Sequence, residues 1–393
     1  MGNIQQMIED LCPNGVEYKK LKEVCTDFIV PMRDRPKVFD GEIPWCRIED
    51  KEGQYFNRSL SGLAVSEDVI KSMNLKVFPT GTVICSCSAS IGAYAINTQP
   101  LITNQTFIGI VCGEKLYNKF LLYFMETQTQ KLLELSNSGT IPYISRKKFE
   151  ELIIPVPPLA VQSEIVKVLD NFTELTAELT AELTAELTAR KKQYEYYRNK
   201  LLSFTDIENR GGQIDDVYKL GDICQIKRGV RVVRKELSEN GIYDVYQNSL
   251  IPLGKHTSYN TPANTTFVII GGAAGDVGYS ESNYWAADDC LSILSSDLVN
   301  SRYVYHYLMT QQQFLKARVR RAGVPRLSRS VLDNMTIQLP PMAEQERIVA
   351  ILDRFEKLTN DITEGLPAEI KARQQQYEYY RNKLLTFKQK LSA

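Results

Sequence analysis

Histidine is the scarcest chemistry-bearing residue in this chain of 393 residues, which contains only His256 and His306. A His–His metal site or a Ser–His–Asp triad therefore has almost no material, which lowers the expectation of an enzyme but leaves carboxylate or cysteine chemistry open. The eight cysteines form no CxxC pair, so we expect neither a zinc site nor a disulfide framework, and a reducing cytoplasm fits best. The sequence contains no run of 18 apolar residues, and Met1 is not followed by a charged segment and an apolar segment of the kind that make up a signal peptide. This predicts no membrane span and no secretory signal.

Net charge is lacking as well, because 47 basic residues balance 47 acidic ones. A zero sum does not favour nucleic-acid binding, but recognition depends on local charge. Residues 298–332 carry seven basic side chains and no acidic one. With 43% hydrophobic residues the chain can form packed cores, and its length predicts two or three domains.

The sequence contains one pattern twice. The string QYEYYRNKLL occurs at residues 193–202 and again, identical, at 376–385, an offset of 183. The Pro-Pro pairs at 157–158 and 340–341 share that offset. Such a repeat predicts two structurally equivalent halves.

Weaker matches extend the repeat towards the start of each half. LKEVC at 21–25 resembles LGDIC at 220–224, and VICSCSASIG at 83–92 resembles VIIGGAAGDVG at 268–278. We therefore expect each half to begin with a strand, continue as a β-rich body that differs between the halves, and end in a similar helix. The predicted segments are 1–156 and 213–340 for the two variable bodies, 157–212 for a central helix with a linker, and 341–393 for a C-terminal helical region.

Long amphipathic helices are predicted after each Pro-Pro pair. Residues 176–187 read TAEL three times, a composition that favours helix, and each four-residue unit should turn the leucine stripe by about 40°. Residues 160–204 are predicted to form one rod of about 65 Å, whereas Gly365 and Pro367 should interrupt the second copy at 343–387. The tyrosines of the two QYEYYRNKLL copies could either pack against protein or stack on nucleic-acid bases, and base stacking is kept as the alternative role. The side chains expected to pack against the other long helix or a partner protein are Phe172, Leu179, Leu183, Leu187, Tyr194, Tyr197, Phe355, Tyr377 and Tyr380.

Two motifs resemble cofactor or catalytic sites without matching them. The glycines of residues 266–278 are not in the GxGxxG order of a dinucleotide loop, so we predict a tight turn in the β-rich body. An adenine-N6 methyltransferase carries Asn or Asp before Pro-Pro to hold the flipped base, whereas Val156 and Leu339 stand there. We therefore predict no catalytic residue, no metal site and no cofactor bound by this chain.

Clusters of arginine and lysine are the stronger signal, because an ordinary solvated surface would intersperse acids. Arginine can bind guanine N7 and O6 with a planar fork, while lysine more often contacts the phosphate backbone. The sequence leaves open which residue does which. The first half contributes, around the loop at 138–145 and near Asp34, Arg33, Arg35, Lys37, Tyr143, Arg146, Lys147 and Lys148. The second half contributes Lys227, Arg228, Arg231, Arg234 with its neighbour Lys235, Lys316, Arg318, Arg320, Arg321, Arg326 and Arg329.

These features together resemble the specificity subunit of type I restriction–modification systems. The opening P-P-L/M-A-x-Q-x-x-I-V-x-x-L-D-x-F appears at 157–172 and 340–355, and QYEYYRNKLL closes each helix. The TAEL repeats resemble those of the IC subgroup. The likeness covers essentially the whole chain.

The resemblance implies an α+β fold in which two β-rich target recognition domains alternate with two long antiparallel coiled-coil helices, related by a pseudo-twofold repeat. It implies a non-catalytic subunit that reads a bipartite double-stranded DNA target, with the helices setting the spacer length. Expected partners are two modification subunits, which bind S-adenosylmethionine and methylate adenine at N6, and restriction subunits; no membrane is expected. The alternatives are a methyltransferase fused to a specificity chain, and a structural coiled-coil adaptor.

Overall fold

The computed structural model describes residues 2–137, 142–203, 216–321, 323–360 and 365–390. The predicted linker at 204–212 and part of the loop at 138–145 lie outside these ranges. Packing divides the chain into two units: unit 1 comprises residues 1–180 and 372–393, and unit 2 comprises residues 181–371. Among the helices of the described residues, none is long and apolar enough to cross a bilayer.

Unit 1 is built around a six-stranded sheet. Its helices are α1 (Gly2–Leu11), α2 (Leu21–Val24), α3 (Glu67–Met73), α4 (Asn118–Thr127), α5 (Thr129–Leu135) and α6 (Arg146–Glu150). Its strands are β1 (Tyr18–Lys20), β2 (Cys25–Ile29), β3 (Ile43–Cys46), β4 (Lys51–Glu52), β5 (Tyr55–Phe56), β6 (Ala64–Val65), β7 (Val83–Ser86), β8 (Tyr94–Asn97), β9 (Ile102–Thr103), β10 (Phe107–Cys112) and β11 (Ile153–Pro155). The six-stranded sheet has the order β2-β10-β7-β8-β5-β4, beside a three-stranded sheet β6-β3-β9 and a ribbon β1-β11.

The central strands of unit 1 bury both faces. In β7, Val83 and Cys85 pack into the core that contains α4, while Ile84 packs into a second core on the opposite face. In β10, Ile108 joins the first core and Phe107 the second. Because successive side chains of a strand point to opposite faces, a strand buried on both sides reads as a continuous apolar run. That explains why the body sequence shows no polar alternation here.

Unit 2 has the same plan with a smaller main sheet. Its elements include α8 (Leu220–Ile223), α9 (Ser301–Thr310), α10 (Gln312–Ala317) and α11 (Arg329–Asp333), with β12 (Asp216–Lys219), β13 (Cys224–Arg228), β14 (Tyr243–Tyr246), β15 (Lys255–His256), β16 (Thr265–Ile269), β17 (Val277–Ser280), β18 (Trp285–Ala286), β19 (Cys290–Ser295) and β20 (Thr336–Leu339). The sheets have the orders β13-β19-β16-β17, β15-β14-β18 and β12-β20. Residues 266–278 form the antiparallel β16–β17 hairpin, so the predicted turn is confirmed.

The remaining helices are α7 (Leu159–Leu202), α12 (Met342–Asn360) and α13 (Leu366–Leu384). The single rod predicted over 160–204 matches α7 closely, and the interruption predicted at Gly365 and Pro367 separates α12 from α13. Residues of α7 up to Thr180 belong to unit 1 and those from Ala181 to unit 2. Likewise α13 enters unit 1 at Ala372. Packing thus divides the chain within α7 and within α13. The four consecutive segments proposed from the sequence stay a prediction.

A buried glutamine fixes the start of each long helix. The Gln162 side-chain oxygen accepts the Tyr117 N–H at 2.8 Å, and its amide donates to the carbonyls of Lys115 and Pro157 at 2.9 and 2.7 Å. Gln345 makes the three equivalent bonds 183 positions further on. Each Pro-Pro pair therefore lies between a strand and a helix, and the helix predicted after each pair is present.

The structural repeat keeps the offset of 183 as far back as β7 and β16. α4 and α9 begin 183 positions apart, and the β10–β7 register matches the β19–β16 register at that offset. The alignment of VICSCSASIG on VIIGGAAGDVG is wrong by two positions at its start and by three at its end. Gly92 and Gly275, both at positive φ (103° and 91°), occupy the same place in their turns. Runs of apolar strand residues match equally well in several registers, which is why the sequence misplaced them.

The opening segments LKEVC and LGDIC are not strands, which corrects the sequence prediction. Each forms a single helical turn, α2 or α8, between two strands. The Leu21 N–H donates to the Leu152 carbonyl and the Leu220 N–H to the Met335 carbonyl, both at 2.8 Å. These bonds from distant residues stabilise a turn that is too short to form alone.

Candidate nucleic-acid interface

In unit 2 the basic residues fall into two clusters, at 227–235 and 316–329, and the two clusters meet at the turn of residues 287–289. The Arg228 guanidinium donates through Nε to the Asp288 carbonyl at 2.8 Å. The Arg326 guanidinium forms an ion pair with the Asp289 carboxylate. Arg228 and Arg326 are far apart in sequence, so the fold assembles one basic surface from both clusters.

The loop at residues 320–326 rests on a defined backbone frame. Arg320 and Arg326 exchange backbone N–H···O bonds of 2.9 and 3.1 Å, and the Leu327 N–H donates to the Ile270 carbonyl at 2.9 Å. A Cβ at Gly271 would lie 2.5 Å from the carboxylate carbon of Asp289. Glycine at this position therefore makes room for the carboxylate beneath the loop.

The stretch at 298–332 contains no acidic residue, but acidic side chains from outside it form ion pairs with some of its basic residues. Lys316 contacts Asp276 at 2.8 Å, and Arg329 contacts Asp333 at 3.2 Å within α11. Arg318 lies over the ring of Phe314 at 4.8 Å. All ten basic candidates of unit 2 remain exposed, namely Lys227, Arg228, Arg231, Arg234, Lys316, Arg318, Arg320, Arg321, Arg326 and Arg329.

Unit 1 repeats the loop frame with different side chains. Tyr143, at the position of Arg326, accepts the Asn137 N–H through its carbonyl at 3.2 Å and forms a backbone bridge with Ser88. Burial raises the pKa of the Tyr143 phenol, and the nearby Arg33 guanidinium partly lowers it. The charge of Arg33 therefore acts on Tyr143 from within electrostatic range.

The other candidates of unit 1 differ in what they contact. Arg35 lies over the ring of Trp45 at 5.1 Å, so part of its cationic face is covered. Lys148 donates to Asn137 Oδ1 at 3.1 Å and supports the loop itself. Arg146 pairs with Glu150 at 2.6 Å. Lys37 and Lys147 are exposed.

A polar cluster lies between α9 and α12 in unit 2. The Arg302 guanidinium contacts Asp353 and Glu356, each at 2.7 Å, and buried His306 contacts Asp353 through Nε2 at 2.7 Å. Burial raises the pKa of Asp353, but the hydrogen bonds from His306 and Arg302 together lower it by more. The pKa of Asp353 is therefore below its usual range. Ligand atoms of His306, Asp353 and Glu356 lie close enough to hold a metal ion. A metal ion would have to compete with Arg302, so the cluster fits a structural ion-pair network better.

Unit 1 has a counterpart of this network with other residue types. Lys119 pairs with Asp170 at 2.7 Å, and the Tyr123 hydroxyl donates to the same carboxylate at 2.6 Å. Each lies 183 positions before its counterpart in unit 2. The two networks share their geometry but not a set of metal ligands, which supports the structural interpretation.

The aromatic residues that were predicted to pack contact side chains of their own unit. In unit 1 the Tyr377 hydroxyl lies 3.0 Å from that of Thr173, and the rings of Phe172 and Tyr380 lie 6.0 Å apart. In unit 2 the rings of Tyr197 and Phe355 stack at 5.7 Å, whereas the Tyr194 hydroxyl lies 3.3 Å from His306 Nδ1 in α9. Leu183 is buried, and Leu179 and Leu187 are half-buried.

The arrangement of two equivalent units, each with a basic or aromatic loop on the same frame, agrees with the comparison to known families. The chain matches the family model of the type I restriction modification DNA specificity domain twice, over residues 13–189 and 216–372. It belongs to this family.

Known members of the specificity-domain family cover most of this chain. The EcoprrI specificity subunit of Escherichia coli is 31% identical over 343 residues, covering 83% of each chain. The EcoR124I/EcoR124II specificity subunit of the same organism is 32% identical over 304 residues, covering 68% of this chain and 70% of that subunit.

Solved structures of specificity-domain proteins have the same fold. The crystal structure of the S subunit from M. genitalium aligns with a TM-score of 0.53 at 17% identity, covering 94% of this chain and 96% of that chain. A chain from a study of complex assembly and conformational transition of the type I R-M system aligns with a TM-score of 0.69 at 16% identity, covering 94% and 97%. The predicted α+β architecture with two bodies and long helices is confirmed.

Sequence reasoning missed the carboxylate that pairs with the loop at residues 320–326 in unit 2, which is that of Asp289. Asp289 was not a candidate because the search was for basic residues, and it lies 37 positions from Arg326. The small residue at Gly271 gave no separate signal among the other glycines of the hairpin. A carboxylate that orients an arginine can be found only when the fold is known.

Proposed function

We propose that this chain is the DNA-reading subunit of a type I restriction–modification complex, in which each unit reads one half of a bipartite target. The observation that carries the proposal is the pair of equivalent loops. They share one backbone frame at an offset of 183, yet one presents Tyr143 and the other Arg326. Side chains at base edges specify sequence while a shared frame positions them, so two such loops suit two different half-sites.

The partners are proposed from the repeated helix surface. QYEYYRNKLL is identical in both copies, and its middle tyrosines, Tyr196 and Tyr379, are exposed in both units. Two identical exposed surfaces suit two copies of one partner. We propose two modification subunits, which supply S-adenosylmethionine and methylate adenine at N6, with restriction subunits joining for cleavage in the cytoplasm.

The chain itself is proposed to catalyse no reaction and to bind no cofactor. The glycines that resembled a cofactor loop lie in the β16–β17 hairpin. Each Pro-Pro pair joins a strand to a helix and is held by a glutamine side chain. Both motifs thus have a structural role, and α7 is left with the role of setting the spacer between the half-sites.

A body exchange tests the proposal. Residues 1–156 are replaced by the corresponding segment of another family member, and the complex is expressed with its modification subunits in a host without adenine methylation. Sequencing of methylated adenines should show one half-site changed and the other retained, because each unit reads independently. Exchange of residues 213–340 should change the opposite half-site.

The unmodified chain is the control and should give a single bipartite motif. If either exchange altered both half-sites, the model of two independent readers would be wrong. If the control gave methylation without a bipartite motif, the assignment as a specificity subunit would fail.

A further inference from the structure

Arg326 is exposed but oriented. Its backbone N–H and carbonyl both bond to Arg320, and its Nη1 bonds to the Asp289 carboxylate. The Arg326 side chain is 50% exposed, whereas that of Asp289 is 15% exposed. The carboxylate therefore lies below the surface and fixes one corner of a guanidinium that faces outwards.

Asp289 is itself fixed by the fold. Its carbonyl accepts the Ile270 N–H at 2.8 Å, and the absence of a side chain at Gly271 leaves room for its carboxylate. Within the described residues, no other hydrogen bond engages the remaining guanidinium nitrogens of Arg326. Two parallel donors are what a fork needs to bind O6 and N7 of guanine.

We propose that Arg326 reads a guanine in the half-site of unit 2 and that Asp289 is the positioning residue that aims it. The inference rests on the proposed function and deepens it. A phosphate contact is disfavoured at this place, because the Asp289 carboxylate would repel the charged backbone, whereas a base edge carries no net charge. Holding the side chain in advance also lowers the entropy lost on binding.

Unit 1 has no such arginine–carboxylate pair at the equivalent positions. Tyr143 stands at the position of Arg326 and Thr106 at that of Asp289, each 183 positions earlier. A phenol and a hydroxyl provide neither the fork nor the carboxylate. The Arg–Asp pair is therefore specific to unit 2, and the proposed guanine contact is made in the half-site of that unit.

The test uses the full chain assembled with its modification subunits. The methylated motif of the unmodified complex defines the specified positions, and binding is then measured on duplexes carrying each of the four base pairs at each position of the unit 2 half-site. R326K should reduce discrimination at one G·C position by about 10- to 100-fold, because an ammonium cannot form the fork. D289N should reduce it at the same position by a smaller factor, and D289E should restore part of it.

R347K is the matched control, because Arg347 is exposed, pairs with Glu344 inside α12 and is not among the candidates for DNA contact. It should leave discrimination at every position unchanged. The proposal is overturned if R326K leaves discrimination at every G·C position intact. It is overturned as well if R326A weakens all duplexes equally and flattens the salt dependence, which is the result of losing a phosphate contact. It is also overturned if the unit 2 half-site specifies no G·C pair.

The role of Asp289 has its own contrary result. If D289N lowered only the thermal stability and left discrimination intact, Asp289 would be structural. Failure of the proposed function would look different, since the unmodified complex would then have no bipartite motif.

Discussion

Arg302 shows how the partners of a residue in space differ from its neighbours in sequence. It belongs to the acid-free stretch at 298–332, yet it pairs with Asp353 and Glu356. Both acids lie more than 50 positions further along the chain. A local count of charges therefore identifies the basic cluster but cannot separate an arginine that faces DNA from one that stabilises a helix contact.

We predict that Arg302→Met destabilises unit 2 by about 3 kcal/mol at neutral pH, because two carboxylates lose their cation. The pKa of Asp353 lies below its usual range, so its contribution is present above the unfolded pKa and is lost as the pH falls through the lowered value. The difference between variant and wild type should therefore shrink in acid. Chemical denaturation of variant and wild type, at neutral pH and at an acidic pH below the pKa of Asp353, measures this difference.

Arg347→Met is the control for that experiment. Arg347 pairs with Glu344 at 2.6 Å, but its side chain is 44% exposed, so the cost should stay below about 1 kcal/mol. Equal costs for the two variants would show that the ion pairs of Arg302 contribute no more than a surface pair.

The TAEL repeat shows what periodicity can predict for an element. A unit of four residues advances the helix by about 400°, so successive leucines cannot all face the same side. Leu175, just before the first TAEL unit, is 60% exposed, whereas Leu183, at the end of the second unit, is 8% exposed. The sequence predicts this rotation, but it cannot tell which leucine is buried, because that depends on what packs against α7.

Leu183→Ala and Leu175→Ala form a matched pair, because both leucines lie on α7 and differ in burial. We expect Leu183→Ala to lower the free energy of unfolding by about 2–4 kcal/mol, since a buried side chain is removed. Leu175→Ala should cost less than about 0.5 kcal/mol. Thermal or urea denaturation of the full chain measures both. Similar losses for the pair would mean that Leu183 is not held in a packed seam.

The long helices could be predicted from sequence and the single-turn helices could not. Helical spacing and composition act locally, so the expected rod at 160–204 differs from α7 by only one or two residues at each end. α2 and α8 are each four residues long and depend on carbonyls contributed by Leu152 and Met335. Such long-range bonds leave no pattern in a short sequence window.

At the scale of the whole molecule, each packing unit is completed by helix residues from the other half of the sequence. The copy of QYEYYRNKLL at 193–202 belongs to unit 2, and the copy at 376–385 belongs to unit 1. The two copies are identical, yet Tyr194 contacts His306 while Tyr377 contacts Thr173. The sequence predicts a repeat but not this exchange, since identical strings contain no information on which body receives them.

The last prediction turns the length of α7 into a distance on DNA. The boundary between the units falls at Thr180 and Ala181, within the TAEL tract, and α7 is a continuous helix there. One TAEL unit contributes about 6 Å of helix, against about 3.4 Å for each base pair of DNA. Its removal also turns the helix by about 40°, which is close to the turn of one base-pair step, so the readers can still follow the groove.

Deletion of residues 180–183 should therefore keep both half-site sequences and shorten the unspecified gap between them by one or two base pairs. Sequencing of methylated adenines in a strain that carries the deletion measures the gap directly. Substituting Thr180 and Glu182 with alanine is the control, because it keeps both the helix length and the buried Leu183, and it should keep the gap. An unchanged or variable gap after the deletion would mean that the repeat is a flexible filler, and the role of α7 as a spacer would have to be abandoned.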